Sequence, residues 1–216
     1  MNPALAIIKN RFTFRVKSLE NKILTGIETI DRQAGGIPRG TVTEVVGGAS
    51  SGKTTLLYSL LAAATARQEA CVLVDTGDAF DPASAAAAGV DLRFLLWVRC
   101  AVNKRSALQT VDWLLQGGGF GVVALDLGHL TPHDLRNIPL STWFRFRHAV
   151  ENKPTALLVI APEPCTGSAV SLRLEMKRKT ALWQGQLFRG AVLEAVPKKP
   201  AGSASATFEA DTCLLA

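Results

Sequence analysis

The chain has 216 residues, 48% of them hydrophobic, and 24 Lys and Arg against 18 Asp and Glu give a formal net charge of +6. That length suits one domain with its own core, and that apolar content excludes a disordered chain. No apolar run reaches the roughly 18–20 residues that span a bilayer. Leu5 to Ile8 is too short for a signal-peptide core, so a cytoplasmic protein without membrane attachment is expected.

The positive balance suits a polyanionic partner such as nucleic acid or an acidic protein surface. Charges that only solvate the surface explain it equally well. Cys71, Cys100, Cys165 and Cys213 form no CxxC pair, and His129, His133 and His148 show no metal spacing. Reduced, structural thiols and no metal cluster are expected.

Residues 1–24 read as a basic appendage, with Lys9, Arg11, Arg15, Lys17 and Lys22 against Glu20. Phe12, Phe14 and Val16 alternate with Thr13, Arg15 and Lys17, the pattern of a half-exposed strand. Such a strand pairs with a partner's sheet edge or folds back on its own domain. Residues 25–216 read as a single domain. Thr25 and Glu28 have capping-box spacing, and Gly35-Gly36 ends the helix they begin. Strands are predicted at Thr43–Val46, Cys71–Asp75, Phe94–Val98, Val122–Asp126 and Ala156–Ala161. Helices are predicted at Thr54–Arg67, from Asp81 as cap with Pro82 first to Gly89, at Ser106–Gln116 and at about Ser141–Glu151.

This alternation argues for an α/β fold, a mostly parallel sheet with helices on both faces. After residue 168, Val170, Leu172, Leu174 and Met176 alternate with polar residues, and Gln186–Val196 and Thr207–Leu214 also read as strands. An antiparallel extension is expected there, with polar turns at Lys177–Lys179 and Pro197–Ser205.

One segment carries chemistry. Gly47-Gly48-Ala49-Ser50-Ser51-Gly52-Lys53-Thr54 fits GxxxxGK[ST] between a predicted strand and a predicted helix. Glycines let the backbone curl so that N–H groups point inward at phosphate oxygens. The helix that follows turns its positive end to the same anion. Lys53 neutralises phosphate charge, and the Thr54 hydroxyl is offered to Mg²⁺. Asp126 ends the apolar run Val122–Leu125, the place of a carboxylate that holds Mg²⁺ through water; an Asp that only caps a turn would stand there too. The cofactors implied are ATP or ADP with Mg²⁺. Arg145, Arg147, Lys177, Arg178 and Lys179 are candidate contacts to nucleic-acid phosphates, with a solvated surface as the plain alternative.

These residues together resemble the RecA family. Gly35-Gly36-Ile37-Pro38-Arg39-Gly40 resembles the segment before its first core strand, Gly47–Thr55 its Walker A loop, and Cys71–Asp91 its next strand and helix. Asp126 matches its Walker B acid. The resemblance covers about residues 25–196 and implies a RecA-like core with antiparallel C-terminal strands. It also makes Asp81 the adenine contact. Within the superfamily, the short length and the tail LRLEMKRKTALWQGQLFRGAVLEAV resemble the ImuA accessory proteins of bacterial mutagenesis cassettes. That resemblance implies a role in the DNA-damage response and translesion synthesis. Implied partners are an ImuB-like Y-family polymerase homologue, an error-prone DnaE-type polymerase and RecA itself, with single-stranded DNA as a candidate ligand near the nucleoid.

The departures from the family bear on activity. The glutamate that activates the attacking water falls on Gly77, with Asp78 next door as a weak catalytic candidate. The aromatic that stacks on adenine is Ser84. The glutamine that senses the γ-phosphate falls near Ala161-Pro162. Thr131–Pro139 and Glu163–Gly167 replace the longer DNA loops. Two main readings stay open. One is an accessory protein that binds nucleotide and works through protein contacts; the other is an active ATP-dependent recombinase. Another kind of P-loop ATPase is a third.

Overall fold

Short runs of Val, Leu, Ile and Ala, each stopped by Gly, Asp or Pro, suit strands that are buried on both faces. The computed structural model describes residues 21–101, 103–200 and 204–211. The strand expected at Phe12–Val16 and the thiol of Cys213 lie outside the described residues.

In chain order the elements are β1 (Lys22–Ile23), α1 (Glu28–Ala34), β2 (Ile37–Pro38), β3 (Val42–Val46), α2 (Lys53–Ala66), β4 (Cys71–Asp75) and α3 (Pro82–Ala87). There follow β5 (Leu95–Arg99), α4 (Lys104–Gly117), β6 (Val122–Asp126), α5 (Pro132–Arg136), α6 (Leu140–Val150) and β7 (Ala156–Ala161). The chain closes with β8 (Leu172–Gln184), β9 (Leu187–Lys199) and β10 (Ala206–Asp211). An eight-stranded sheet runs β10-β9-β8-β3-β7-β6-β4-β5. From β8 to β5 all neighbours are parallel, and β9 and β10 are antiparallel to their neighbours. The α/β class read from the sequence is the architecture found.

The pleat divides the core in two. Cys71 and Leu73 of β4 face one side, with Leu56, Leu60 and Leu61 of α2. Val72 and Val74 face the other, with Val111 of α4 and Trp143 and Phe146 of α6. Helix α2 is buried at Leu56, Leu57, Tyr58, Leu60, Leu61 and Ala64, as its all-round apolar sequence requires. Asp81 caps α3 by accepting from the N–H groups of Ala83 and Ser84, with Pro82 at the first position.

Register fixes the site. Val46 pairs with Ala161, Ile160 with Asp126, and Asp126 with Asp75. The segments that follow β3, β7, β6 and β4 therefore leave the sheet along one edge.

Four local readings are corrected. Lys177–Lys179 is no turn, because β8 continues to Gln184 and the reversal falls at Gly185-Gln186. The polar connection expected at Pro197–Ser205 is shorter, since β9 reaches Lys199. β8 joins β3 in parallel, so the antiparallel part begins only at β9. Thr25 and Glu28 form no capping box. Instead the Thr25 N–H and hydroxyl and the Gly26 N–H all donate to the Asp31 carboxylate, at 2.7, 2.8 and 3.0 Å. Ile23, which falls in the expected appendage, is fully buried and pairs with Ile37. The stretch Thr131–Pro139 contains the short helix α5, capped by the Thr131 hydroxyl.

Two buried carboxylates tie the strands together. Glu69 accepts from the Arg39 guanidinium at 2.7 and 2.9 Å and from Arg67 Nε at 3.0 Å, while Arg39 also donates to the Pro154 carbonyl at 2.7 Å. Glu44, in the middle of β3, accepts from the N–H groups of Cys165 and Thr166 at 2.7 and 2.9 Å and pairs with Arg173 of β8. The connection between β7 and β8 is thus pinned to the central strand. Removing one partner of a buried pair strands the other charge. Glu69→Ala is expected to lower unfolding free energy by about 3–5 kcal/mol, read as a fall in the urea midpoint at unchanged slope; a loss below about 1 kcal/mol would show that Arg39 finds water or another partner.

Candidate nucleotide-binding site

The Gly47–Thr54 loop leaves β3 and enters α2 at Lys53. Its path depends on two glycines. Gly47 has φ 156°, and a Cβ there would stand 2.5 Å from the Met176 carbonyl oxygen of β8 and 2.6 Å from Ser51 Oγ. Gly52 has φ 91°, and a Cβ there would collide with Leu193 of β9. Gly48, Ala49 and Ser50 are exposed, while Ser51 is buried. Helix geometry leaves the first N–H groups of α2 without helical partners, so they and the loop amides can serve an anion.

Lys53 Nζ donates to the Gly47 carbonyl, to the Gly48 carbonyl at 2.7 Å and to Ser51 Oγ at 3.4 Å. Burial pushes its ammonium pKa down, and nearby Asp126 opposes that shift. Thr54 and Thr55 are exposed in the first turn of α2. A cleft of about 260 Å³ is lined by Ala49, Ser50, Lys53, Thr54, Asp75, Gly77, Asp126 and His129, among others. The Walker A residues and the expected metal aspartate therefore meet in one place. A second cleft of about 240 Å³ adjoins the loop, where Phe188, Ala191, Leu193 and Ala210 form an apolar wall beside Thr54 and Thr55.

Two aspartates end the neighbouring strands β4 and β6 and differ in their bonding. Asp75 is buried and accepts from the Gly77 N–H at 2.9 Å, the Phe80 N–H at 3.0 Å and Trp97 Nε1 at 3.2 Å. It is committed to shaping residues 76–80. Asp126 accepts from the Gly128 N–H at 2.7 Å. Burial raises its pKa above the usual carboxylate range, Asp75 adds to that, and the Gly128 bond, His129 and Lys53 oppose it. An incompletely compensated carboxylate beside a lysine and an exposed threonine hydroxyl fits a hydrated divalent cation. With the open loop amides, these residues fit a magnesium–nucleoside phosphate.

The position of the family glutamate is Gly77, and the His129 ring lies against it. A Cβ on Gly77 would stand 2.7 Å from His129 Nδ1 and 3.1 Å from its Cγ. The imidazole of His129 occupies that space, a role no spacing in the sequence announced. Asp78 is turned away. It is exposed, with φ 54°, and is held by Arg99 through two hydrogen bonds, one of 2.5 Å; that bonding keeps its carboxyl below its ordinary pKa. Asp81 spends its oxygens on the α3 cap and on the Ser84 hydroxyl, at 2.5 Å. The aromatics nearby are Tyr58, Phe80 and Trp97, packed on one another at 5.7 and 5.2 Å.

The proposed DNA contacts are divided between two layers. Arg145 and Arg147 are exposed on α6, and Arg145 pairs with Asp112 of α4 at 3.1 Å. Lys177, Arg178 and Lys179 are exposed on β8, where Lys177 pairs with Glu175 and Lys179 with Glu194. Exposed pairs of this kind hold their charges loosely.

The raised pKa of Asp126 has a consequence for stability. A carboxyl whose folded pKa exceeds its unfolded one stabilises the fold when protonated and loses that contribution as pH rises through the folded value. Asp126→Asn is therefore expected to raise the metal-free melting temperature, by a margin that grows with pH above the ordinary carboxylate range, and to remove stabilisation by Mg²⁺ with nucleotide. Melting curves across pH, with and without Mg²⁺–ADP, check this; a variant less stable than wild type at pH 7 without metal would contradict it.

The profile of the RecA N-terminal domain matches residues 10–137. Protein RecA of Chlorobaculum tepidum is 40% identical over 106 residues, which are 48% of this chain and 30% of that protein. Protein RecA of Deinococcus radiodurans is 40% identical over 99 residues, 45% of this chain and 27% of that protein. The matched part thus spans less than a third of these relatives. Among the described residues no helix is long and apolar enough to cross a membrane. With more than half of its length matched by that profile, the chain belongs to the RecA family.

Proposed function

We propose that this chain binds ATP or ADP with Mg²⁺ at Gly47–Thr55 and acts as a RecA-like accessory factor in error-prone translesion synthesis. It works through protein contacts in the bacterial cytoplasm and does not itself recombine DNA. One observation carries this reading: the phosphate and metal residues share a cleft, while the position of the family's water-activating glutamate is a glycine against which the His129 ring is packed. Lys53 neutralises phosphate, Thr54 and Asp126 hold the ion, and the wall of Phe188 and Leu193 offers an apolar surface beside the loop.

The connections support it too. Thr131–Pro139 is taken up by α5, and the segment after β7 is held to Glu44 at Cys165 and Thr166. Neither resembles a long loop that wraps a DNA strand, and Ala161 at the end of β7 is buried and apolar, with no group to report a γ-phosphate. The resemblance to ImuA proteins names the assembly: an ImuB-like Y-family homologue, a DnaE-type polymerase and RecA. Single-stranded DNA is a secondary ligand, through Arg145, Arg147, Lys177, Arg178 and Lys179.

Titration of the purified chain with ATP and ADP in Mg²⁺ tests the site. Loss of a charge-assisted phosphate contact is worth roughly 1.5–3 kcal/mol, so Lys53→Ala should bind about ten-fold or more weakly; equal affinity would remove the loop from the account. Turnover should be slow, since the family's glutamate, a base of a kind worth about 10²–10⁴ in rate, is absent, and single-stranded DNA should barely change it. Strong DNA stimulation would instead support an active recombinase.

A further inference from the structure

The cleft of the proposed nucleotide site is lined by one imidazole, that of His129. His129 follows β6 by three residues and is exposed to the cleft that Lys53, Thr54 and Asp126 line. Its ring lies against Gly77, close enough that any Cβ there would displace it. Gly77 is not required by its backbone angle, since its φ is not positive. The glycine and the imidazole are complementary: one vacates the space that the other fills.

The hydrogen bonds around the ring select its tautomer. Thr76 is fully buried, and its hydroxyl donates to the Asp126 carbonyl. The Thr76 oxygen is then free to accept, and His129 Nδ1 lies 3.4 Å from it. A proton on Nδ1 satisfies this contact and leaves Nε2 with its lone pair. An imidazole that donates from Nδ1 and keeps its Nε2 lone pair has the arrangement of a general base.

We propose that His129 replaces the missing glutamate as the base that accepts a proton from the water attacking a bound nucleoside triphosphate, with Thr76 as its positioning residue. The inference rests on the nucleotide-site reading above. The water oxygen bonds to the γ-phosphorus as the bond from that phosphorus to the β-phosphate oxygen breaks; nucleoside diphosphate leaves, and the water proton passes to His129 Nε2. Lys53 and Asp126 remain the phosphate and metal groups, and Asp75 stays committed to the Gly77 and Phe80 amides.

The test uses the full chain labelled with ¹⁵N-histidine, with His129→Gln to assign the signal among the three histidines. The expected result is an Nδ1–H tautomer whose Nε2 resonance shifts with Mg²⁺–ADP–aluminium fluoride and not with Mg²⁺–ADP. In parallel, His129→Ala should retain ADP affinity and lose roughly ten-fold or more of the slow turnover. An Nε2–H tautomer, no shift with aluminium fluoride while ADP binds, or unchanged turnover in His129→Ala overturns the assignment and leaves the nucleotide site standing. Failure of ADP to bind in the same samples overturns the site and the assignment together. If wild-type turnover is too slow to measure, the resonance shift alone decides.

Discussion

The site depends on how closely the backbone of β8 and the side chain of Leu193 approach the phosphate loop. A loop of this kind works only if its amides converge, and convergence needs something behind it. Here the Met176 carbonyl lies behind Gly47 and Leu193 lies behind Gly52, so both positions exclude a Cβ. The C-terminal hairpin is thus part of the framework of the proposed nucleotide site. The bond from Glu44 to the segment before β8, and its pair with Arg173, keep that hairpin against β3. A chain of contacts runs from the buried middle of the central strand to the loop that it ends in.

The acids of the sheet separate by how fully they are bonded. Glu44, Glu69 and Asp75 are buried, and each accepts two or more hydrogen bonds from named amides, guanidinium groups or the Trp97 indole. Their charges are consumed in holding the fold. Asp126 is the exception, with its pKa raised chiefly by burial. Its ionised form costs stability that a bound cation would return. Such a mismatch between stability and charge marks a functional carboxylate better than its place at a strand end does.

Much of this was legible in the sequence where the signal was local. The phosphate loop and Asp126 were readable because their chemistry demands fixed residue types in a strand–turn–helix context. The parallel strands were readable because burial on both faces makes them continuous apolar runs. The hairpin was misread at Lys177–Lys179, since β8 there runs beyond β3, whose pairing with it ends at Glu175, and charged side chains become tolerable on a two-stranded ribbon. Thr25 found Asp31 instead of Glu28 because the chain turns before α1 begins. His129 was invisible for a stronger reason. Its partners, Thr76 and Gly77, lie on another strand's end and meet it only through the register of β4 with β6.

The proposed phosphate and metal site stands in a chain with Gly77 at the position of the family's water-activating glutamate. A crystal structure of the chain with Mg²⁺ and a non-hydrolysable ATP analogue tests it most directly. The expected structure has phosphates over the amides of Gly48 to Lys53, Lys53 swung from the Gly47 and Gly48 carbonyls onto phosphate oxygen, and the ion between Thr54 and the Asp126 side. A nucleotide bound elsewhere, or a Lys53 that keeps both carbonyls while the analogue is bound, would contradict it.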